Sequence, residues 1–196
     1  GLSSKTPLKS SGLLVFMALF NIGTHRYACQ IVCDNSKDKP MPGKLTLSAY
    51  EAQQGQIIGH SDWITVDQNM IDGFCDVTGD YQFIHNDPKR AKDDTPFGGT
   101  IAHGFLTLSL ITQMYKDHVP RLMDHELIIN YGLESIRFLS PVPSGSDIRG
   151  QFTLKSLTKR REGQYLAENQ VLVEIKGSEK PAMIGTWLTL LVAGDL

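Results

Sequence analysis

Two short stretches of the sequence concentrate residue types that can move protons and bind an oxyanion. Asp80 and His85 lie five residues apart, after a glycine expected to end a helix, in a segment that we interpret as a loop. In a loop such a carboxylate and imidazole can flank one small molecule, whereas a helix would turn them about 140° apart. Gly99 and Gly104 follow, and they would let a substrate approach backbone amides closely.

A carboxylate, an imidazole and backbone amides are the groups needed to add water across a double bond conjugated to a thioester, or to remove it. A base takes a proton from water as the oxygen attacks Cβ, an acid protonates Cα, and amide donors hold the enolate oxygen. An aspartate and a histidine in a loop also occur in purely structural hydrogen bonds. Taken alone, the two residues leave both interpretations open.

His103 and Thr112 extend the candidate set along the helix that is predicted near Gly104. His103 could act as a second acid, but we interpret it as a first-turn structural residue that orients the loop or a subunit contact. Thr112 could contact the catalytic carboxylate or bond back to its own helix, and both hypotheses stay open. No HxxxH, HxH or CxxC spacing accompanies these residues, so we expect no metal site.

Hydrophobic periodicity predicts the elements that must position these residues. Residues 56–65 are typical of a strand. The helix after this strand begins at a capping box formed by Thr65 and Gln68 and ends at Gly79. A second helix is predicted from about residue 101 to residue 118, and the near absence of charge from its first half indicates that it is buried.

The remaining chain is strand-like. Residues 147–155 alternate polar and apolar side chains, as an antiparallel strand with one solvated face does. This order of elements predicts an α+β domain in which a curved antiparallel sheet wraps around a long central helix. Because one such sheet leaves edge strands unpaired and the helix partly uncovered, we expect a homodimer.

Composition and charge exclude several classes of protein. The chain has 196 residues and a mass of 21.7 kDa, with a formal net charge of -2 and a pI near 6.3. This charge gives no reason to expect nucleic acid or a membrane as the main partner. Three scattered cysteines are too few for a disulfide framework, which favours a cytoplasmic setting.

The N-terminal residues are predicted to lie outside the main domain. We place an N-terminal extension and linker at residues 1–43 and the main domain at residues 44–196. An apolar run at residues 11–23 is too short for a bilayer span, which takes about 20 residues. The run is similar to the hydrophobic part of a secretory signal, but Arg26 lies where a small residue should precede the cleavage site. We expect it to form a helix packed on the body of the protein, or to be sequence carried in from upstream.

Three motifs in the right order carry a resemblance to a known family. They are GDYQFIH at residues 79–85, FGGTIAHG at residues 97–104 and YGLESIRFLSPV at residues 131–142. With these motifs the sequence resembles the MaoC-like dehydratases, which include the R-specific enoyl-CoA hydratases. The similarity runs from about residue 56 to residue 192, which is most of the predicted domain.

The resemblance implies a hot-dog fold, a dimer, and an (R)-specific enoyl-CoA hydratase or 3-hydroxyacyl-thioester dehydratase, a hydro-lyase of the enoyl-CoA hydratase 2 type. It implies that Asp80 and His85 are the catalytic pair and that the Gly104 amide is the oxyanion donor. The substrate would be an acyl thioester of coenzyme A or of acyl carrier protein. No cofactor is implied, because coenzyme A is part of the substrate.

Five further residues complete the candidate substrate-binding set: Gln82, Gly99, His103, Thr112 and Arg137. Gln82 lies where the common family pattern has Asn, and Gln can make the same hydrogen bonds. Arg137 is one candidate for contact with the nucleotide phosphates. Lys89, Arg90 and the basic group at residues 155–161 are the others, although that group is also typical of a solvated hairpin tip.

Two other functions use the same fold. A hot-dog thioesterase would hydrolyse the thioester itself, and a non-catalytic acyl-binding or partner-binding module would keep the shape without turnover. The presence of Asp80 and His85 together within the motif favours hydration. Release of free coenzyme A would indicate the thioesterase, and binding without a change in the acyl group would indicate the module.

Overall fold

The computed structural model describes residues 14–22, 25–33 and 43–193, and the chain divides into two compact units, Gly1–Met41 and Pro42–Leu196. In the first unit, strand β1 (Leu14–Ile22) pairs antiparallel with strand β2 (His25–Cys33). The helix predicted for the apolar run is therefore wrong. A short, continuously apolar run fits a strand as well as a helix, and periodicity does not separate the two. Most of the predicted linker lies outside the described residues, and the domain boundary at residue 43 stays a prediction.

Within its described residues, the second unit contains eight strands and six helices. Its strands are β3 (Lys44–Leu45), β4 (Ile57–His60), β5 (Ile64–Val66), β6 (Arg121–Leu122), β7 (His125–Phe138), β8 (Ser146–Arg161), β9 (Gln164–Ile175) and β10 (Met183–Ala193). Its helices are α1 (Leu47–Glu51), α2 (Gln68–Thr78), α3 (Phe83–Asn86), α4 (Pro88–Asp94), α5 (Gly104–Ser109) and α6 (Ile111–Lys116). None of the helices in the described part of the chain is long and apolar enough to cross a membrane.

The sheet is antiparallel, with strand order β4-β8-β9-β10-β7, and β5 also pairs with β8. Buried and less buried side chains alternate along much of β8 and β10, as expected for strands with one face on the core. β7 ends the strand order, and apolar side chains along it remain exposed: Leu127, Ile128, Ile129, Tyr131 and Leu133.

The predicted central helix is present as α5 and α6, which meet at Leu110. It starts at Gly104 rather than near Ile101, because Ile101 forms an isolated bridge with Pro143 and so is extended backbone. The helix packs on the sheet, with the Tyr115 ring edge-on to two aromatic rings of β8 and β10 at centroid distances of 5.1 and 5.0 Å. The predicted antiparallel sheet with a helix against it is confirmed.

Helix α2 ends as predicted but starts differently. Gly79 ends the helix in the left-handed conformation, with φ of 74°, which glycine adopts at little cost. The N-cap is Asp67, whose carboxylate accepts a hydrogen bond from the Met70 amide, so the capping box predicted at Thr65 is wrong. Thr65 belongs to β5, where its hydroxyl donates to the Asp147 carboxylate at 2.6 Å.

Candidate active site

Asp80 lies directly after the left-handed turn that ends α2. Its side chain is exposed, and a carboxylate oxygen accepts a hydrogen bond from the Gln82 backbone amide at 3.4 Å. Its own amide donates to the Thr78 hydroxyl at 3.4 Å. The backbone around Asp80 is therefore held by local bonds of the kind that short polar side chains make in turns, while the carboxylate stays open to solvent.

His85 lies in α3, a helix of four residues, so the loop predicted for it is a single helical turn. The side chain is buried, with 6% of its surface exposed. Its Nδ1 lies 2.7 Å from the Ile101 carbonyl oxygen. Because a carbonyl only accepts, Nδ1 carries the proton, and in the neutral ring Nε2 is left with a free lone pair.

Burial lowers the pKa of His85 below the ordinary value, and the neighbouring His103 lowers it further. The hydrogen bond to the Ile101 carbonyl and the Asp80 carboxylate act in the opposite direction, but the net shift is downward. A histidine with a lowered pKa is neutral near pH 7, and only a neutral imidazole can accept a proton.

The structure brings three of the predicted residues together. Asp80, His85 and His103 each offer one nitrogen or oxygen atom, and these atoms all lie within 4.8 Å of one another. The His85 and His103 rings are stacked, with centroids 3.7 Å apart and planes 24° apart. Nearly parallel rings do not direct their in-plane lone pairs at one ion unless one ring turns. The absence of a metal or cofactor stays a prediction.

Gly104 borders the same cavity as His85, a space of about 280 Å³. A Cβ on Gly104 would lie 3.1 Å from the Phe138 ring, so a larger residue would fit only if that ring shifted. The other lining residues are Ile101, Ala102, Thr107, Phe138, Leu139, Ser140, Pro141, Val142 and Ala182. An imidazole and the amide-bearing backbone at the start of α5 thus face one small space.

The other predicted binding residues do not line this space. Gln82 is the exposed N-cap residue of α3, and Gly99 is half-buried in the turn that leads to α5. Thr112 lines a second cavity of about 280 Å³, between the helix and strands β7 and β10. Arg137 is exposed on β7, where its guanidinium donates to the Ile136 carbonyl. The structure does not bring Thr112 or Arg137 into the cavity beside His85.

Gln68 and Thr100 form hydrogen bonds that support the His85 segment, and the sequence analysis did not assign them this role. The Gln68 side-chain amide donates to the His85 carbonyl at 2.7 Å, and its oxygen accepts from the Thr100 hydroxyl. Thr100 is buried and comes one residue before the backbone that binds the His85 ring. A glutamine in a first helical turn carries no local signal of such a contact, because its partners lie 17 and 32 residues away in sequence.

The sequence model of the MaoC like domain matches residues 50–175. The chain belongs to the MaoC-like dehydratase family. It is 45% identical over 148 residues to nodulation protein N from Rhizobium leguminosarum bv. viciae, and the aligned region covers 76% of this chain and 92% of that protein. It is 41% identical over 142 residues to 3-hydroxyacyl-thioester dehydratase Z from Mycobacterium tuberculosis, covering 72% of this chain and 93% of that protein.

Solved structures support the fold of this MaoC-like dehydratase. The R-hydratase PhaJ1 from Pseudomonas aeruginosa, in its unliganded form, superposes with a TM-score of 0.54 over 71% of this chain and 82% of that chain. At 22% sequence identity this likeness concerns the fold alone. The predicted α+β hot-dog fold is confirmed. Membership of the family supports a hydro-lyase in general terms.

Proposed function

We propose that this MaoC-like dehydratase is an (R)-specific enoyl-CoA hydratase of the enoyl-CoA hydratase 2 type, which in reverse is a 3-hydroxyacyl-thioester dehydratase. The observation that carries the proposal is the meeting of three parts: the Asp80 carboxylate, the His85 ring, and the Gly104 backbone beside that ring. The relative named as a thioester dehydratase supports the same reaction.

In the proposed reaction, His85 and Asp80 bind one water molecule between them. The neutral His85 ring accepts a proton from this water through Nε2 as the water oxygen attacks Cβ of the enoyl group, while the Asp80 carboxylate orients the water. The protonated pair then returns a proton to Cα. Water has been added across the double bond, and His85 is neutral again.

The negative charge that develops on the thioester oxygen needs a donor at the other end of the cavity. The Gly104 amide supplies this hydrogen bond to the enolate, which is the usual way in which backbone donors lower such barriers.

The acyl chain would extend from this cavity along the helix. The second cavity follows the same seam between the helix and β7, one to two helical turns further on, and its apolar lining includes Leu108, Ile111, Leu133 and Trp187. Such a lining suits an alkyl chain, whose transfer from water is favourable in proportion to its area. Thr112 lies in this part of the proposed site.

We also propose that the protein is a homodimer and that it works on a thioester of coenzyme A or acyl carrier protein in the cytoplasm. Support for the dimer comes from β7, which is a terminal strand with a row of exposed apolar side chains. Unpaired edges of this kind are templates for pairing with another chain.

Incubation of the protein with crotonyl-CoA tests the reaction. We expect the enoyl absorbance to fall and chiral chromatography to identify (R)-3-hydroxybutyryl-CoA as the product. A thiol reagent in a parallel sample measures free coenzyme A. Release of free coenzyme A with the double bond intact would replace the proposal with a thioesterase. Binding with no change in the acyl group would replace it with a non-catalytic acyl-binding module.

A further inference from the structure

His103 is a buried polar residue at the junction of three parts of the site. It is the N-cap of α5 and directly precedes Gly104, yet its side chain makes no capping bond. Only 3% of its surface is exposed. Burying an imidazole costs free energy unless its nitrogen atoms find partners, so the contacts of this ring indicate what it does.

One ring nitrogen reaches the segment that carries Asp80. The Nε2 atom of His103 lies 3.0 Å from the Asp80 carbonyl oxygen, and the Cys75 sulfur lies 3.7 Å from the same nitrogen. A carbonyl only accepts, so Nε2 must carry a proton and donate it. In the neutral ring, Nδ1 is then unprotonated, and within the described residues this buried atom has no hydrogen-bond partner.

Two aromatic rings pack against the His103 ring. The His85 ring stacks on it at 3.7 Å, and the Phe74 ring of α2 lies at 5.0 Å with a tilt of 53°. The ring therefore cannot turn without disturbing either α2 or His85. A flat ring fixed between these neighbours is suited to hold a hydrogen bond at a constant direction.

We propose that His103 is a positioning residue: its Nε2–H group fixes the Asp80 backbone, so that Asp80 keeps its separation from His85 during turnover. The proposal rests on the proposed hydratase function, because it assigns His103 to the geometry of that site. It gives His103 no contact with the substrate and no proton transfer of its own.

Two substitutions separate the hydrogen bond from the space that the ring fills. His103→Gln keeps an amide donor near the Nε2 position, whereas His103→Phe keeps a flat ring against His85 and removes the donor. Crotonyl-CoA hydration is measured per folded site, after the folded fraction of each variant is established by circular dichroism. Cys75→Ala is the matched control, since it removes the sulfur contact to His103 and leaves the Asp80 bond in place.

We expect His103→Phe to lower kcat by about 10-fold or more with KM changed by less than about 3-fold, because the loss concerns the reacting groups and not substrate binding. His103→Gln should retain kcat within about 3-fold of the wild type, and Cys75→Ala should be unchanged. Equal losses in the Gln and Phe variants, or normal kcat in the Phe variant, would overturn the proposal in favour of a packing role.

A second measurement does not depend on activity. In protein labelled with ¹⁵N-histidine, nitrogen chemical shifts identify which ring nitrogen of each histidine carries the proton, and the His103→Gln spectrum assigns the His103 signals. We expect the Nε2–H form for His103. The Nδ1–H form would overturn the proposal even in an active enzyme. If the wild type does not hydrate crotonyl-CoA, the hydratase function fails and the observed tautomer alone decides whether the bond to Asp80 exists.

Discussion

The two groups proposed to transfer protons differ in how firmly the protein holds them. His85 is bound through its ring and through its carbonyl, and it is buried. The Asp80 carboxylate is exposed and accepts a bond of 3.4 Å from the Gln82 amide, while the Asp80 carbonyl accepts a bond of 3.0 Å from His103. The proposed base is therefore held more firmly than the proposed partner carboxylate, which is open to solvent.

The first prediction concerns these two side chains. Asp80→Asn and His85→Gln should each lower the rate of crotonyl-CoA hydration by at least about 100-fold, because each removes a group that orients or moves a proton. Asp93→Asn is the control, because Asp93 is an exposed aspartate paired with Lys89 on the surface of α4. Steady-state rates and circular dichroism check the result. Near-normal turnover in either site variant would contradict the assignment.

The second prediction follows from the lowered pKa of His85. A base must be neutral to act, so kcat/KM should fall on the acid side, at a pH below the ordinary histidine value of 6.5, and should be level above it. The stability of the fold should change with pH in the same direction as kcat/KM, and both should fall on the acid side. Because the folded pKa is lowered, the unfolded chain binds the extra proton first, and the contribution of His85 to stability is lost as pH falls below about 6.5.

A pH–rate profile and an NMR titration of the His85 ring measure this directly. The two midpoints should agree, and both should lie below 6.5. An NMR midpoint above that value would mean that burial does not control the protonation of the ring. The proposed role as a base at neutral pH would then be wrong.

At the scale of elements, the end of α2 sets the position of Asp80. Gly79 has a positive φ of 74°, so Gly79→Ala should destabilise the protein by about 1 kcal/mol and lower kcat by moving the following residue. Gly73→Ala, in the exposed middle of the same helix with nothing near the added Cβ, should be neutral or stabilising by up to about 1 kcal/mol. Thermal unfolding and hydration rates of the pair test this. Similar effects of the two variants would contradict it.

Local rules predict some of these elements and not others. The end of α2 was predictable because Gly79 alone supplies a left-handed conformation cheaply. Its start was not, because Thr65 and Asp67 are both good caps and pairing of Thr65 with β8 decides between them. The start of the central helix also depends on a distant partner, since Ile101 bridges to Pro143.

The residues of the candidate site were likewise predictable only in part. Asp80, His85 and Gly104 could be selected by residue type and motif. The structure groups Asp80 with His85, and His85 lines a cavity together with Gly104. The stacked His103 ring and the Gln68 amide could not be assigned, because their contacts join segments far apart in sequence. Local sequence patterns identify the reactive side chains, whereas the residues that orient them are identified only by tertiary contacts.

At the scale of the whole molecule, β7 is predicted to pair with a second copy. Light scattering at micromolar concentration should give about twice the 21.7 kDa mass of the chain. Ile129→Lys, on the exposed part of β7, should shift the mass towards that of one chain, because a charge at a buried edge is costly. Val77→Lys is the control, since Val77 is an exposed apolar residue on α2. A wild type with only the single-chain mass would refute the dimer.

The place of β7 in the fold would link the proposed dimer to the proposed reaction. The strand is the outer member of the sheet and also a wall of both cavities, through Leu133 and Phe138. Separation of the subunits would therefore loosen the space beside His85 as well as the interface. Specific activity should decline on dilution, and saturating thioester should restore it, because a ligand that binds only the assembled form draws free subunits back together.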